Sequence, residues 1–194
     1  MPKMIGTVTH AFADYAYLRY IAGGEQARMR MAAWYARSSV RYGMRYGRVD
    51  AAPQLEGVAI WLPPGQTRLT SWRLARSGFM GVPWSMNLEG IIRAIVTSAH
   101  MEREHERFAP GSHWYLFALA VEPACQRQGI GGALLQPVLA LADAAGQPCY
   151  LETHVESNVR FYQRHGFAVM SAVPTHDGKL TIYAMRRPGV QRDG

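Results

Sequence analysis

The spacing of hydrophobic positions predicts helices in the first half of the chain. Apolar residues at helical spacing predict a helix over residues 7–21, broken near Asp14. A second helix is predicted over 25–42, with Met29, Ala33, Ala36 and Val40 on its inner face. Two short apolar runs then predict strands, one over 48–51 and one over 57–62, and the second strand ends at Pro63-Pro64-Gly65.

The stretch 71–105 predicts helix in two pieces around Pro83. Its apolar residues are expected to form a buried stripe: Leu88, Ile91, Ile92, Ile95 and Val96. The alternating charges over 102–107 predict a solvent-exposed face.

The second half alternates strands and helices. A near-continuous apolar run over 114–121 predicts a strand buried on both faces. A helix over 129–145 follows, with Pro137 inside it, where the missing N–H should bend it. Its inner stripe is predicted to be Ile130, Leu134, Val138, Leu141 and Ala145.

The remaining pattern predicts a strand, a short helix and a hairpin. The strand covers 149–153, and Asn158 is expected to cap a short helix that ends at His165 before Gly166. Residues 167–173 and 180–185 predict a hairpin. The class is therefore α/β, with antiparallel strands at both ends of the sheet.

Length and composition favour one domain over residues 1–194. The chain has 48% hydrophobic and 18% charged residues, which excludes a disordered chain or a coiled coil. No apolar run is long enough to span a membrane, and the first nine residues do not resemble a signal peptide. Cys125 and Cys149 fit reduced thiols, so we expect a cytoplasmic protein without membrane contact. Two cysteines without a matching histidine cluster predict no metal site.

The net charge of +7 comes almost entirely from arginine, since Lys3 and Lys179 are the only lysines. Arginine suits phosphate and carboxylate recognition, so the balance indicates an anionic partner. Many of the arginines lie between Arg28 and Arg48, where a solvated helix face is the simpler explanation. The chain lacks the motifs of nucleic-acid-binding proteins, and we expect no nucleic-acid partner.

A glycine-rich turn separates the buried strand from the helix that follows it. Residues 126–132 read Gln-Arg-Gln-Gly-Ile-Gly-Gly. Glycines let main-chain N–H groups approach an anion, and a helix N-terminus adds unpaired donors and partial positive charge. The turn therefore predicts a pyrophosphate site, although a tight connection alone would give the same pattern.

A second motif follows at the spacing Asn158, Tyr162, Gly166, Phe167. Together with the glycine turn it resembles the acetyl-CoA core of the GNAT superfamily of N-acetyltransferases. The run from His113 to Tyr162 also resembles the puromycin N-acetyltransferase branch, and the strong resemblance covers about 113–187. It implies a single-domain GNAT-like fold with a mixed central sheet, a splayed central strand and flanking helices. Residues of about 5–110 would then supply the acceptor side.

The resemblance also implies an acetyl-CoA site and a role for each part of it. The splayed strand would pair its main chain with the pantetheine arm, and Asn158 would bind the pantetheine amides. The turn amides would hold the pyrophosphate, and Tyr162 would lie near the sulfur. The cofactor-binding residues so implied are Leu119, Ala120, Val121, Gln126, Arg127, Gln128, Gly129, Ile130, Gly131, Gly132, Asn158 and Tyr162. The family usually begins with a strand, for which few residues precede the first predicted helix here.

Acetyl transfer to an amine needs a proton acceptor and a proton donor. We expect Tyr162 to be the general acid that protonates the leaving thiolate, because a phenol near the sulfur can donate its proton. Glu152 is the candidate base, or alternatively a carboxylate that only orients the substrate or pairs with an arginine. Glu122 is a second candidate that more simply caps the turn, and His154 more simply sits in a solvated loop. Cys125, beside the turn, has no base partner and is taken as incidental.

Several aromatic residues are candidates for the wall of the acceptor site. Trp61, Trp114 and Tyr115 fit either that wall or the core. Tyr15, Tyr17 and Tyr20 cluster where the first helix breaks, which would suit an aromatic or apolar amine or a packed helix face.

Two functional classes stay open at this point. The first is an acetyl-CoA-dependent N-acetyltransferase that acts on a small-molecule amine, and the second is a non-catalytic acyl-CoA-binding regulatory module. The intact turn and Tyr162 favour the enzyme. The acceptor, a role in antibiotic resistance and a homodimeric state are not determined by the sequence.

Overall fold

Six strands form one mixed sheet in the computed structural model, which describes residues 1–81 and 86–190. The strands are β1 (Arg48–Ala51), β2 (Gly57–Leu62), β3 (Trp114–Val121), β4 (Cys149–Thr153), β5 (Ala168–Pro174) and β6 (Thr181–Arg187). Their order across the sheet is β1-β2-β3-β4-β6-β5. Among these described strands, β3 and β4 pair in parallel, and the other neighbours are antiparallel. The predicted strands and the C-terminal hairpin are confirmed.

Seven α-helices connect and cover these strands within the described residues. They are α1 (Pro2–Phe12), α2 (Ala16–Ile21), α3 (Glu25–Tyr46), α4 (Ser71–Ser77), α5 (Leu88–Phe108), α6 (Ile130–Ala144) and α7 (Glu156–Gln163). The predicted break near Asp14 is confirmed, because α1 ends at Phe12 and α2 begins at Ala16. The chain begins in helix, so no described strand precedes α1.

The third helix is longer than its sequence pattern indicates. It continues past Gly43 to Tyr46, because Gly43 is a packing position rather than a helix end. A Cβ on Gly43 would lie 2.5 Å from Cγ2 of Ile60 and 2.8 Å from Cγ2 of Val49. The missing side chain lets α3 lie close to β1 and β2. The inner face carries Met31 and Ala32, and Met29 is exposed.

The predicted buried stripe on α5 is wrong. Leu88, Ile91, Ile92, Ile95 and Val96 are all exposed, between 39% and 73%. The opposite face, with Gly90 and Thr97, contacts the protein instead. A Cβ on Gly90 would lie 2.2 Å from the carbonyl oxygen of Ile21, so a small residue permits the contact with α2. The choice of face is thus made by close helix packing, which hydrophobic periodicity does not report. Pro83 lies outside the described residues.

Most of the charged end of α5 is exposed as predicted, but Glu104 and His105 are not. His105 is half-buried and stacks on Tyr150 with ring centroids 4.5 Å apart. Glu104 is 7% exposed and accepts a hydrogen bond from the Ser171 hydroxyl on β5. This bond attaches α5 to the edge of the sheet.

Helices cover both faces of the sheet. On one face, α6 and α7 pack against β2, β3 and β4 around Trp61, Leu135 and Leu151. On the other, α1 and α3 pack around Val8, Val40 and Ile60. The inner stripe of α6 differs in part from the prediction, since Leu135 and Leu139 are buried and Leu141 is 44% exposed. None of the helices in the described ranges is long and apolar enough to cross a membrane.

The predicted cap at Asn158 is also wrong. Helix α7 begins at Glu156 and its N-cap position is Val155, so Asn158 lies inside the first turn. Gly166 does take the left-handed conformation expected after the helix, with φ of 84°.

Candidate active site

Strands β3 and β4 separate shortly after they meet. They pair only through Trp114 with Cys149 and Tyr115 with Tyr150, although β3 continues for six more residues. Phe117 is an extra residue in β3, because Ile60 pairs with Ala118 while Trp61 pairs with Leu116. A β-bulge bends its strand, and this one lies where β3 leaves β4. The result is an opening in the middle of the sheet.

The main chain of β3 faces this opening at two positions. The N–H of Glu122 donates to the carbonyl of Glu56, so this position of the strand hydrogen-bonds toward β2. Because main-chain groups alternate in direction along a strand, those of Leu119 and Val121 face away from β2. The Gln126 side chain donates to the carbonyl of Val121 on that side. Ala120, which pairs with Val58, has its main-chain groups toward β2.

The glycine-rich turn presents a row of free amide donors at the end of the opening. In the described part of the chain, no N–H from Arg127 through Gly132 donates to a protein acceptor; the first bonded amide after them is that of Ala133. Positive φ angles at Arg127 (62°) and Gly129 (83°) shape the turn. The turn is solvent-exposed at residues 126–129 and leads into α6. Unpaired amides at a helix N-terminus form a site for a phosphate group.

Tyr162 lies on α7 with its side chain directed into the core. It is 7% exposed and packs edge-on against Phe161 and Phe167. Burial raises the pKa of the phenol, and negative charge on Tyr15 or Tyr35 would raise it further. The group is therefore protonated at neutral pH. Its hydroxyl forms no hydrogen bond with the described residues, so it is available to another acceptor.

Glu152 lies on β4, across the opening from β3. Its Oε2 accepts a 2.8 Å hydrogen bond from the Tyr115 hydroxyl of β3. Burial raises the pKa of the Glu152 carboxyl to about 7, although the bond from Tyr115 favours the charged form. No arginine or lysine in the described ranges is paired with this carboxylate. Glu152 can therefore gain or lose a proton near neutral pH.

A chain of polar contacts joins α7 to the break between α1 and α2. The Asn158 amide donates to Oγ1 of Thr153 at 3.3 Å, and that oxygen lies 3.4 Å from the Tyr15 hydroxyl. The same Tyr15 hydroxyl accepts from the main-chain N–H of His154 and lies 3.2 Å from its Nδ1. Asn158 thus reaches the end of β4 rather than capping its own helix.

His154 is not in a solvated loop. Its ring stacks on Tyr17 with centroids 5.0 Å apart, and its Nε2 is buried without a partner among the described residues. Burial lowers the pKa of this imidazole to about 4, so it is neutral at pH 7.

Tyr35 is a site residue that the sequence analysis missed. Its hydroxyl on α3 reaches the carbonyl of Phe117, the bulged residue, at 3.5 Å. Burial raises the pKa of the Tyr35 phenol, and negative charge on Tyr15, Tyr17 or Glu152 would raise it further. The only sequence signal is a polar aromatic residue at the edge of the inner face of α3.

Other candidate residues lie outside the opening. The Glu122 side chain contacts His10 of α1 at 2.9 Å instead of capping the turn. Trp61 is fully buried in the core, and Trp114 is half-buried with its indole N–H buried and unpartnered in the described structure. Tyr20 bonds Asp177 in the β5–β6 turn. Cys125 is half-buried beside the turn.

No group of three or more metal-ligating side chains occurs in the described ranges. The groups described at the opening are the amides of the turn, the phenols and the Glu152 carboxylate.

Known proteins resemble this chain in sequence and in fold. Residues 87–169, from α5 into β5, match the family described as acetyltransferase (GNAT) domain. An uncharacterized N-acetyltransferase of Schizosaccharomyces pombe is 24% identical over 182 residues, which is 88% of this chain and 72% of that protein.

Solved structures share the fold. The structure described as histone acetyltransferase HPA2 and related acetyltransferase of Corynebacterium glutamicum has a TM-score of 0.68 and 23% identity, covering 100% of this chain and 93% of that one. Naa20 of Chaetomium thermophilum, bound to a bisubstrate analogue, has a TM-score of 0.52 and 16% identity, covering 100% of this chain and 90% of that one. The chain has the fold of a single GNAT-like α/β domain, and its residues 87–169 are similar to acetyltransferase domains of GNAT type.

Proposed function

We propose that the protein transfers the acetyl group of acetyl-CoA to the amine of a small molecule, by direct attack in a ternary complex. The opening between β3 and β4 is the observation that supports this proposal. It has main-chain N–H donors suited to phosphate at one end, and a carboxylate and phenols at the other.

Each part of acetyl-CoA has a matching surface. The amides of 127–132 suit the pyrophosphate, and Arg127 adds a positive charge beside them. The main-chain groups of Leu119 and Val121 suit the amides of the pantetheine arm, as in strand addition. Asn158 and Tyr162 both lie on α7, and we assign Asn158 to the pantetheine amides and Tyr162 to the sulfur.

The chemistry needs two proton transfers. Glu152 accepts the proton of the attacking amine, for which a carboxyl pKa near neutral pH is favourable. The new C–N bond forms as the C–S bond breaks. Tyr162 donates its proton to the departing sulfur and is reprotonated from water afterwards. A main-chain N–H of β3 near Val121 would stabilise the oxyanion that forms in between.

The acceptor is a separate part of the proposal. Resemblance to the puromycin branch and the tyrosines at the α1–α2 break support an amine with an aromatic body, so puromycin belongs in the test panel. The free thiols of Cys125 and Cys149 support a reducing compartment, the cytoplasm.

The test is release of free CoA thiol from acetyl-CoA with a panel of amines. Thiol release that depends on an amine, with an acetylated amine in mass spectra, is the expected result. Calorimetric binding of acetyl-CoA without turnover on any amine would support the non-catalytic acyl-CoA-binding module instead.

A further inference from the structure

The carboxyl group of Glu152 is half-buried and has no cationic partner in the described structure. The donor of its hydrogen bond with Tyr115 is a hydroxyl group, which carries no positive charge. Arginines on the helices nearby are already paired: Arg19 and Arg28 with Asp14, and Arg93 with Glu89 and Asp177. A buried carboxylate is costly unless a cation or hydrogen-bond donors compensate it. An ammonium group entering from the acceptor side would supply that missing partner.

Aromatic rings lie close to the end of β4 that carries Glu152, because the Tyr15 hydroxyl contacts Thr153 and His154. We treat these rings as the walls of the acceptor site. Tyr15 packs on Phe12 with ring centroids 5.1 Å apart, and Phe12 packs on Tyr35 at 4.9 Å. Tyr17 stacks on His154 behind them. Phenol faces attract cations and pack against flat apolar groups. These walls therefore suit an ammonium carried on an aromatic body.

The same surroundings disfavour an acidic group next to the amine. The imidazole of His154 is buried between Tyr15 and Tyr17 and is neutral at pH 7. The guanidinium groups of Arg19 and Arg28 are held by Asp14. A carboxylate on the acceptor would find no positive partner among these residues and would be repelled by Glu152.

We propose that the acceptor is an aromatic amine which binds as an ammonium ion on Glu152 and carries no carboxylate beside its amine. This inference rests on the proposed function and narrows it from amines in general to one charge class. Free aromatic amino acids are excluded by it, while their decarboxylated or amidated forms are accepted.

The test uses three matched probes: tyramine, L-tyrosine amide and L-tyrosine. Binding to the full-length protein saturated with CoA is measured by calorimetry, and thiol release from acetyl-CoA is measured in parallel. We expect tyramine and tyrosine amide to bind, and L-tyrosine to bind at least about tenfold more weakly because of like-charge repulsion. Equal or tighter binding of L-tyrosine, or no binding of tyramine and the amide, would overturn the inference.

Two variants assign the preference to Glu152. Glu152→Gln keeps an acceptor for Tyr115 and removes the charge, so the preference for tyramine over tyrosine should shrink at least about fivefold. Glu156→Gln removes an exposed carboxylate of α7 and should leave the preference unchanged. An unchanged preference in Glu152→Gln would contradict the assignment. Selective binding without thiol release from any amine would support the amine site and refute acetyl transfer.

Discussion

The Tyr115 hydroxyl lies 2.8 Å from Oε2 of Glu152 and joins β3 to β4 just beyond the point where the two strands stop pairing. Each residue comes from a different side of the opening, so the carboxylate is fixed by a strand that it does not belong to. A base at this position has a defined orientation before any substrate binds.

The pH dependence of turnover tests the role of Glu152. Because burial raises its pKa to about 7, the carboxyl is protonated below neutral pH and cannot accept the amine proton. We expect kcat to rise with pH through about 7 and then level off. Glu152→Gln should lower kcat by about 10²-fold and abolish that titration. A wild-type profile retained in the variant would show that another group is titrating.

Replacement of Tyr162 by Phe separates catalysis from binding. The ring keeps its packing on Phe161 and Phe167, while the proton donor is lost. We expect kcat to fall by about 10²-fold with little change in the Kd of acetyl-CoA. Tyr46→Phe, on the far end of α3, is the matched control and should retain wild-type kcat. Unchanged turnover in Tyr162→Phe would show that Tyr162 is not the general acid.

Two glycine-to-alanine variants test the conformation of the phosphate turn. A Cβ added at Gly129 or at Gly6 would meet no atom within 4 Å, but Gly129 has φ of 83° and Gly6 lies inside α1. Gly129→Ala should lose about 1 kcal/mol of unfolding free energy and weaken acetyl-CoA binding. Gly6→Ala should gain about 0.5–1 kcal/mol, because alanine favours helix. Denaturant unfolding measures the change in unfolding free energy of both variants. An equal change in the two would contradict a strained backbone at Gly129.

A buried histidine pair predicts loss of stability in acid. His113 donates from Nδ1 to the carbonyl of Gly111, so its Nε2 must accept the 2.7 Å bond from Nε2 of His105. Burial lowers the pKa of both imidazoles, to about 4 for His105, and Arg186 lowers that of His113 further.

The unfolded chain therefore binds more protons than the folded one below pH 6.5. The stabilising contribution of the pair is complete above about pH 6.5 and is lost as pH falls toward 4. His105→Phe retains a ring against Tyr150. We expect the free energy of unfolding of this variant to fall less than that of the wild type as the pH is lowered from about 6.5 to 4. His176→Gln, at an exposed position, should follow the wild type. The same pH dependence of the unfolding free energy in the wild type and in His105→Phe would contradict this assignment.

Local signals explain which parts of the fold were predictable. The strand bounds follow from short apolar runs closed by proline and glycine, and the phosphate turn follows from its glycines. The outward apolar face of α5 was not predictable, because the contact of Gly90 with Ile21 selects the inner face through backbone proximity. Asn158 was misplaced because its amide donates to Thr153 at the end of β4, five residues earlier in the chain, instead of capping α7.

The sequence named part of the candidate site. The donors of the turn were predicted from its glycines, Tyr162 from the family resemblance and Glu152 from its position on a predicted strand. Tyr35 and the bond between Tyr115 and Glu152 depend on a bulge at Phe117 and on how α3 crosses the sheet. Neither feature leaves a local pattern in the sequence.

A crystal structure of the protein with CoA tests the central claim most directly. We expect the pyrophosphate within hydrogen-bond distance of the amides of 127–132, the pantetheine arm between β3 and β4, and the sulfur facing the Tyr162 hydroxyl. CoA bound elsewhere, or a sulfur separated from that hydroxyl by packed side chains, would contradict it.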